Sequence, residues 1–189
     1  AVGWFADEVF PAIRAALPDA QFLIVGARPA AAVQKLASRP GIVVTGRVES
    51  TAAYLAHATV AVAPLQIARG VQNKVLEAMA MACATVVSEG AMTGIAAESG
   101  TQCIAAASPG QWADACLTLV RDRDVARRMG DAARRLMIEA YNWEAQFAKL
   151  DRMIDTARSR PGQMGAGGNA TAPTTGEATV QPMTARGRS

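Results

Sequence analysis

Two hydrophobic rhythms alternate along the chain. Short runs of aliphatic and β-branched residues at 21–25, 41–45, 59–63 and 84–88, with a shorter one near 103–106, predict strands buried on both faces. Apolar spacings of three and four between them predict helices over about 4–17, 30–37, 51–57 and 70–81. In the first, Phe5, Val9, Ile13 and Leu17 share a face, and Pro11 is expected to kink or restart the helix. Gly26 with Pro29, Gly46 and Pro64 close three of the strands, and a loop is expected from Ser88 through Gly90 and Gly94. Ser108-Pro109 opens a long helical pair whose apolar stripe is Trp112, Cys116, Leu119 and Val120. Asn142 is a good N-cap for a last helix carrying Phe147, Leu150 and Ile154.

Strands alternating with helices predict the α/β class, a Rossmann-like parallel sheet with helices on both faces. Residues 1–107 read as the sheet domain and 108–157 as C-terminal helices of the same domain. Residues 158–189 read as a disordered Gly/Pro/Thr-rich tail: from Pro161 onward there are six Gly, three Pro, one Val and no aromatic residue, too little apolar surface to offset ordering entropy. Sheets of this class bind ligands beyond the carboxyl ends of their strands, at a topological switch point. Attention therefore falls on the loops at Gly26, Gly46, 64–70 and 88–94.

Composition narrows the picture. Hydrophobic residues make up 51% of 189, yet aromatics only 5%, with 42 Ala; this excludes a disulfide-stapled miniprotein, a collagen and a chain disordered throughout. Sixteen of the 19 basic residues are Arg, a background bias, and the net charge of +3 does not imply nucleic acid. Cys83, Cys103 and Cys116 are odd in number and lack a C-x-x-C pair, which predicts free buried thiols and a reducing, cytoplasmic home. No run of about 18 apolar residues is present to span a membrane. The chain opens without an initiator Met, already inside a helix, which predicts a fragment of something longer.

Several chemistries have little to build on. Val25-Gly26-Ala27-Arg28-Pro29 departs from G-x-G-x-x-G, and no P-loop occurs. His57 is the single histidine and reads as a satisfied structural residue; the cysteine spacing suits no metal site. The informative stretch runs from Pro64 to Met81. At 100° per residue Asn73, Lys74 and Glu77 share one arc of its helix, while Val71, Val75, Ala78, Met79 and Ala82 cover the other. The helix start offers N–H groups and positive dipole to a phosphate, flanked by Arg69 and Lys74. Glu77 can accept hydrogen bonds from vicinal hydroxyls such as those of a ribose. Lys74 and Glu77 at i,i+3 also read as an ordinary surface pair worth a few tenths of a kcal/mol. Only three lysines occur in the chain, so a Lys at this position stands out.

Arg69-Gly-Val-Gln-Asn-Lys-Val-Leu-Glu77-Ala-Met-Ala-Met81, followed by Thr85-Val-Val-Ser88, resembles the nucleotide-sugar signature of GT-B glycosyltransferases of family 4. The nearest subgroup is the sugar transferases of PEP-CTERM/exosortase exopolysaccharide systems. Trp4 to Arg14, Phe22 to Gly26, Val44 to Val48, Val60 to Leu65 and Tyr141-Asn-Trp-Glu144 extend the resemblance over about residues 1–155. It implies the C-terminal, donor-binding domain of a retaining enzyme, with the first strand of the sheet and an N-terminal acceptor domain lying upstream. Glu77 then matches the carboxylate that binds the ribose. Lys74 and Arg69 match the positions facing the diphosphate and carry the catalytic role, with Gly70, Val71 and Asn73 beside them. Arg47 and Val48 match the segment bordering the nucleobase. The resemblance further implies a UDP- or GDP-sugar donor, a glycan or lipid-linked acceptor, no cofactor and no metal. This half alone would be inactive. Two departures stand out: Arg69 replaces a family Glu expected to contact the transferred sugar, and Ala82 and Ala84 replace a Gly and a Pro. The Arg69 and Ala82 departures motivate a non-catalytic nucleotide-sugar-binding or scaffold module as an alternative; an epimerase of the same architecture is another. The segment 121–135, with six Arg and three Asp, reads as a solvated helix face or as a peripheral contact with anionic lipid.

Overall fold

Every apolar run becomes a strand, and every pairing is parallel. The computed structural model describes residues 1–65, 72–142, 147 and 151, all within the unit formed by Ala1–Asp151. Strand β1 (Phe22–Val25) pairs with β2 (Ile42–Gly46), while β3 (Ala61–Ala63), β4 (Thr85–Val87) and β5 (Ile104–Ala105) form a second ladder in that order. Parallel neighbours require crossovers, supplied by α3 (Ala31–Gln34), α5 (Asn73–Ala80) and α6 (Glu89–Met92), while α4 (Thr51–His57) joins the two ladders. Helices α1 (Val2–Trp4) and α2 (Phe10–Ala16) precede β1; α7 (Pro109–Arg121) and α8 (Arg123–Ala140) follow β5. In the doubly wound order 3-2-1-4-5-6, leaving out strand 1 separates 3-2 from 4-5-6. The two ladders observed here, β2-β1 and β3-β4-β5, have that arrangement.

Strand β4 separates two cores. Val86 packs with Phe5, Val9, Phe10, Phe22, Ile42, Trp112 and Leu119 on one side. Its neighbour Val87 packs with Val75, Met79, Ala91, Cys103, Ala133 and Met137 on the other. Successive strand residues point to opposite faces, and both valines are 0% exposed. Aromatic residues, scarce overall, concentrate in the first core: the rings of Phe5 and Phe22 are 4.8 Å apart, and Phe5 and Trp4 meet Trp112 edge-on at 5.8 and 6.2 Å.

Local chemistry explains where elements start and stop. The first helix restarts as expected at Pro11. Residues Phe5–Val9 form a π turn in which the Phe10 N–H donates to the Phe5 carbonyl, and Pro11 then enters the first turn of α2, where no N–H is required. Ser108 and Gln111 form a capping box at α7, and the Asp122 carboxylate accepts from the N–H groups of Asp124 and Val125 to start α8. Two expectations are corrected. The helix expected from Gly70 begins at Asn73, because Gln72 has an extended backbone (φ −93°, ψ 99°); Gly70 and Val71 lie outside the described residues. The expected loop after β4 contains α6, whose start is capped by the Ser88 side chain. Tyr141 caps the end of α8, while most of the expected last helix, and all of 158–189, lie outside the described residues.

The stop of α5 bears on the Gly-to-Ala departure. Ala82 adopts φ +54°, the left-handed conformation; its N–H donates to Met79 O (3.0 Å) and the Cys83 N–H to Ala78 O (3.0 Å), a Schellman motif built without glycine. Helix α8 lies directly against this turn, since a Cβ on Gly130 would stand 2.0 Å from the Ala82 carbonyl oxygen. Replacing Ala82 by Gly should relieve about 1 kcal/mol of left-handed strain, read as a higher urea midpoint. Gly130→Ala should cost about 1–3 kcal/mol of stability through overpacking, read as a lower urea midpoint.

The three cysteines are free and buried. Burial pushes the Cys103 thiol up to about 11 and Cys116 up to about 12, and also raises Cys83 from its ordinary 9.0. Between pH 9 and those values the unfolded chain loses thiol protons that the folded chain keeps. Stability is therefore whole below pH 9 and falls as pH rises from 9 toward 11–12. Alkylation of the native protein at pH 8.5 should lag far behind alkylation in urea; equal rates would contradict the burial.

Candidate functional site

The carboxyl ends of β3 and β4 lie side by side, with Ala63 opposite Val87. From the end of β3 the chain passes Pro64 and Leu65 and re-emerges at Gln72, whose carbonyl accepts from the N–H groups of Val75 and Leu76. Gln72 provides no side-chain cap, and the leading N–H groups of Asn73 and Lys74 have no partner within the helix, an arrangement that suits an anion.

Helix α5 divides as its pattern predicts. Val75, Ala78 and Met79 are buried beneath it, and Asn73, Lys74 and Glu77 are exposed along one arc. Side chains three apart on a helix have Cβ atoms about 5–6 Å apart, near enough for an ion pair. None forms. Among the described residues the ion pairs are Arg39 with Asp7 and Arg127 with Asp124, leaving the Lys74 ammonium and Glu77 carboxylate unengaged by each other. The ordinary surface pair is thus not the arrangement adopted. One helix presents a cation at its first turn and a carboxylate one turn further on, a spacing suited to a diphosphate and the hydroxyls beside it.

Arg47 and Val48 follow β2 on the other ladder. Gly46 turns the chain there with φ +68°, a conformation that favours glycine; Arg47 is exposed and Val48 half-buried. Helix α4, next in the chain, packs against α5, linking this turn to the Lys74–Glu77 helix. Arg69, Gly70 and Val71 lie outside the described residues. His57 ends α4 exposed, its Nδ1 2.8 Å from the Ala53 carbonyl one turn back. No three of His, Cys, Asp and Glu converge among the described residues in a way that could hold a metal ion.

Two features were not singled out from the sequence. Arg28, after β1, has φ +52°, unusual for a residue other than glycine; nothing in its Ala-Arg-Pro context signals this. Ser88 donates its hydroxyl to the Leu65 carbonyl at 2.6 Å and accepts from the Ala91 N–H at 3.3 Å. Its signal was present, a Ser before Glu89-Gly-Ala91, which is N-cap chemistry. At the far side of the segment after α6, the Tyr141 hydroxyl accepts from the Ala96 N–H at 2.8 Å. An open depression of about 390 Å³, bordered by Thr59, Ala84, Arg123 and Arg127, sits at the amino ends of β3 and β4, the wrong edge for this site. No helix among the described residues is long and apolar enough to cross a membrane.

Comparison with solved structures supports the fold. The sucrose-phosphate synthase of Thermosynechococcus elongatus superposes with a TM-score of 0.63 at 22% identity over 79% of this chain and 42% of that one. A glycosyltransferase from Rickettsia africae gives 0.61 at 15% identity, over 80% of this chain and 44% of that one. The C-terminal domain of a group 1 glycosyl transferase from Francisella tularensis gives 0.56 at 17% identity, over 71% and 78%. The chain thus spans less than half the length of the first two. No curated protein matches it. Residues 1–122 match the sequence model of the family described as glycosyl transferases group 1. With that match added to the parallel ladders, the chain belongs to the group 1 glycosyltransferase family and has the Rossmann-like architecture of a GT-B C-terminal domain.

Proposed function

We propose that this chain is the donor-binding half of a retaining glycosyltransferase that moves a sugar from a UDP- or GDP-sugar to an acceptor hydroxyl. The observation that carries the reading is the exposed, mutually unpaired Lys74 and Glu77 on the helix that follows β3. Lys74, with Arg69 and the open N–H groups at the start of α5, neutralises the diphosphate as it departs, so the largest contribution is electrostatic. Glu77 accepts from the ribose hydroxyls, and the Arg47–Val48 turn borders the nucleobase. Gly70, Val71 and Asn73 complete the phosphate side. A donor phosphate oxygen takes the acceptor proton, so no protein nucleophile and no metal is required. The resemblance to PEP-CTERM/exosortase transferases supports a cytoplasmic role in exopolysaccharide synthesis, with a glycan or lipid-linked acceptor held by a further N-terminal domain. The arginines exposed on α8 favour a peripheral position near anionic lipid.

The competing reading is a non-catalytic nucleotide-sugar module. Arg69 in place of the family Glu favours it. Ala82 no longer does, because the helix stop forms with Ala in the left-handed position. Calorimetric titration of the full protein with UDP and GDP separates the cases. Loss of a charged hydrogen bond is worth about 1.5–3 kcal/mol, so Lys74→Ala and Glu77→Ala should each weaken nucleotide binding about 10- to 100-fold. Unchanged affinity in both would reject the site. Tight binding with no hydrolysis or transfer of a UDP- or GDP-sugar would favour the non-catalytic module, and an epimerised sugar product would identify an epimerase.

A further inference from the structure

Ser88 stands where three pieces of chain meet. Its backbone N–H donates to Ala63 O at 3.3 Å, continuing the β3–β4 ladder by one residue. Its hydroxyl donates to Leu65 O at 2.6 Å, across 23 positions of sequence, and the same oxygen accepts from the Ala91 N–H at 3.3 Å to cap α6. Leu65 is the point from which the chain leaves β3 toward α5, and the Leu65 N–H is itself turned back onto Ala63 O at 2.9 Å. A half-buried hydroxyl that both donates and accepts is directionally fixed; moving it removes the hydroxyl from the Leu65 carbonyl, whereas the Ala91 N–H keeps the Ser88 carbonyl at 2.9 Å. Nothing about cap formation alone requires the donated bond to Leu65; an N-cap needs only the acceptor. The extra bond ties Leu65, where the chain leaves β3, to the β4–α6 turn.

We propose that Ser88 is a positioning residue for nucleotide-donor binding, clamping the exit of β3 to the β4–α6 turn so that the start of α5 faces the donor diphosphate. The inference rests on the reading of α5 as the donor site. Ser88 touches no substrate; it acts through Leu65. Since the ground-state complex depends on this placement, its loss is expressed in donor binding and KM more than in kcat.

The test compares Ser88→Ala and Ser88→Thr in the full protein, with UDP and GDP calorimetry, donor KM and kcat, and urea unfolding measured side by side. Thr keeps both the donor and the acceptor. Ser88→Ala should raise the nucleotide Kd and donor KM about tenfold with kcat within about threefold, the loss of one well-placed hydrogen bond. Ser88→Thr should restore both to within about twofold of the parent. Should Ser88→Ala fail to fold, Ser88→Cys, whose thiol is a weak donor, should give an intermediate Kd. Parent-like affinity in a folded Ala or Cys variant overturns the proposal. So does a Thr variant that matches the parent in urea stability yet binds as weakly as Ala. If Lys74→Ala and Glu77→Ala also bind as the parent does, the donor-site reading itself has failed. If they lose affinity while Ser88→Ala does not, only the role of Ser88 is lost.

Discussion

The structure depends on burial of β4 on both faces. Val86 enters a core made by the first helical segment and α7, and Val87 enters one made by α5, α6 and α8. A parallel strand in this position cannot slip by one residue without exchanging the two sets of contacts. Register is thereby locked: Ala63 sits opposite Val87 and Val87 opposite Ala105. The carboxyl edge where α5 begins inherits that precision. The exposed residues at the start of α5 are thereby carried by a strand that is itself buried.

The second layer of control is the way α5 is held along its buried face and at its far end. Its buried stripe, Val75, Ala78 and Met79, anchors the helix to the sheet and turns Asn73, Lys74 and Glu77 outward. At its far end the turn at Ala82 is pressed by α8 through Gly130, whose missing Cβ permits contact with backbone. A left-handed alanine is intrinsically unfavourable by about 1–2 kcal/mol. It persists because the two hydrogen bonds of the helix stop and the packed α8 overdetermine it. Earlier in the chain, Ser88 ties the exit of β3 at Leu65 to the β4–α6 turn. The rotation of α5 is thus set by apolar contacts, while a polar contact fixes the strand exit that precedes it in the chain.

Most elements were legible because the period of the apolar residues is a local property. Thr51–His57 is a helix over the span expected of it, and the capped start at Ser108-Pro109 appears as predicted. Boundaries shifted where hydrogen bonding, not hydrophobicity, decides them. The expected start of α5 at Gly70 gives way to Asn73 because Gln72 is extended, and α6, four residues long, carries too little periodicity to be predicted. The arc of Lys74 and Glu77 followed from helical geometry alone, whereas their failure to pair is a matter of rotamers and solvation that spacing leaves open.

The sequence by itself determined the alternation of strands and helices, the two faces of α5 and the family resemblance, since each depends on residues near one another in the chain. Tertiary structure alone decided the division into two ladders, the left-handed conformation at Ala82 against Gly130, and the bond from Ser88 to Leu65. Those join positions separated by 23 and 48 residues. Such contacts become favourable only after the sheet and its cores have brought the segments together, and no local pattern of residues encodes the distance between them.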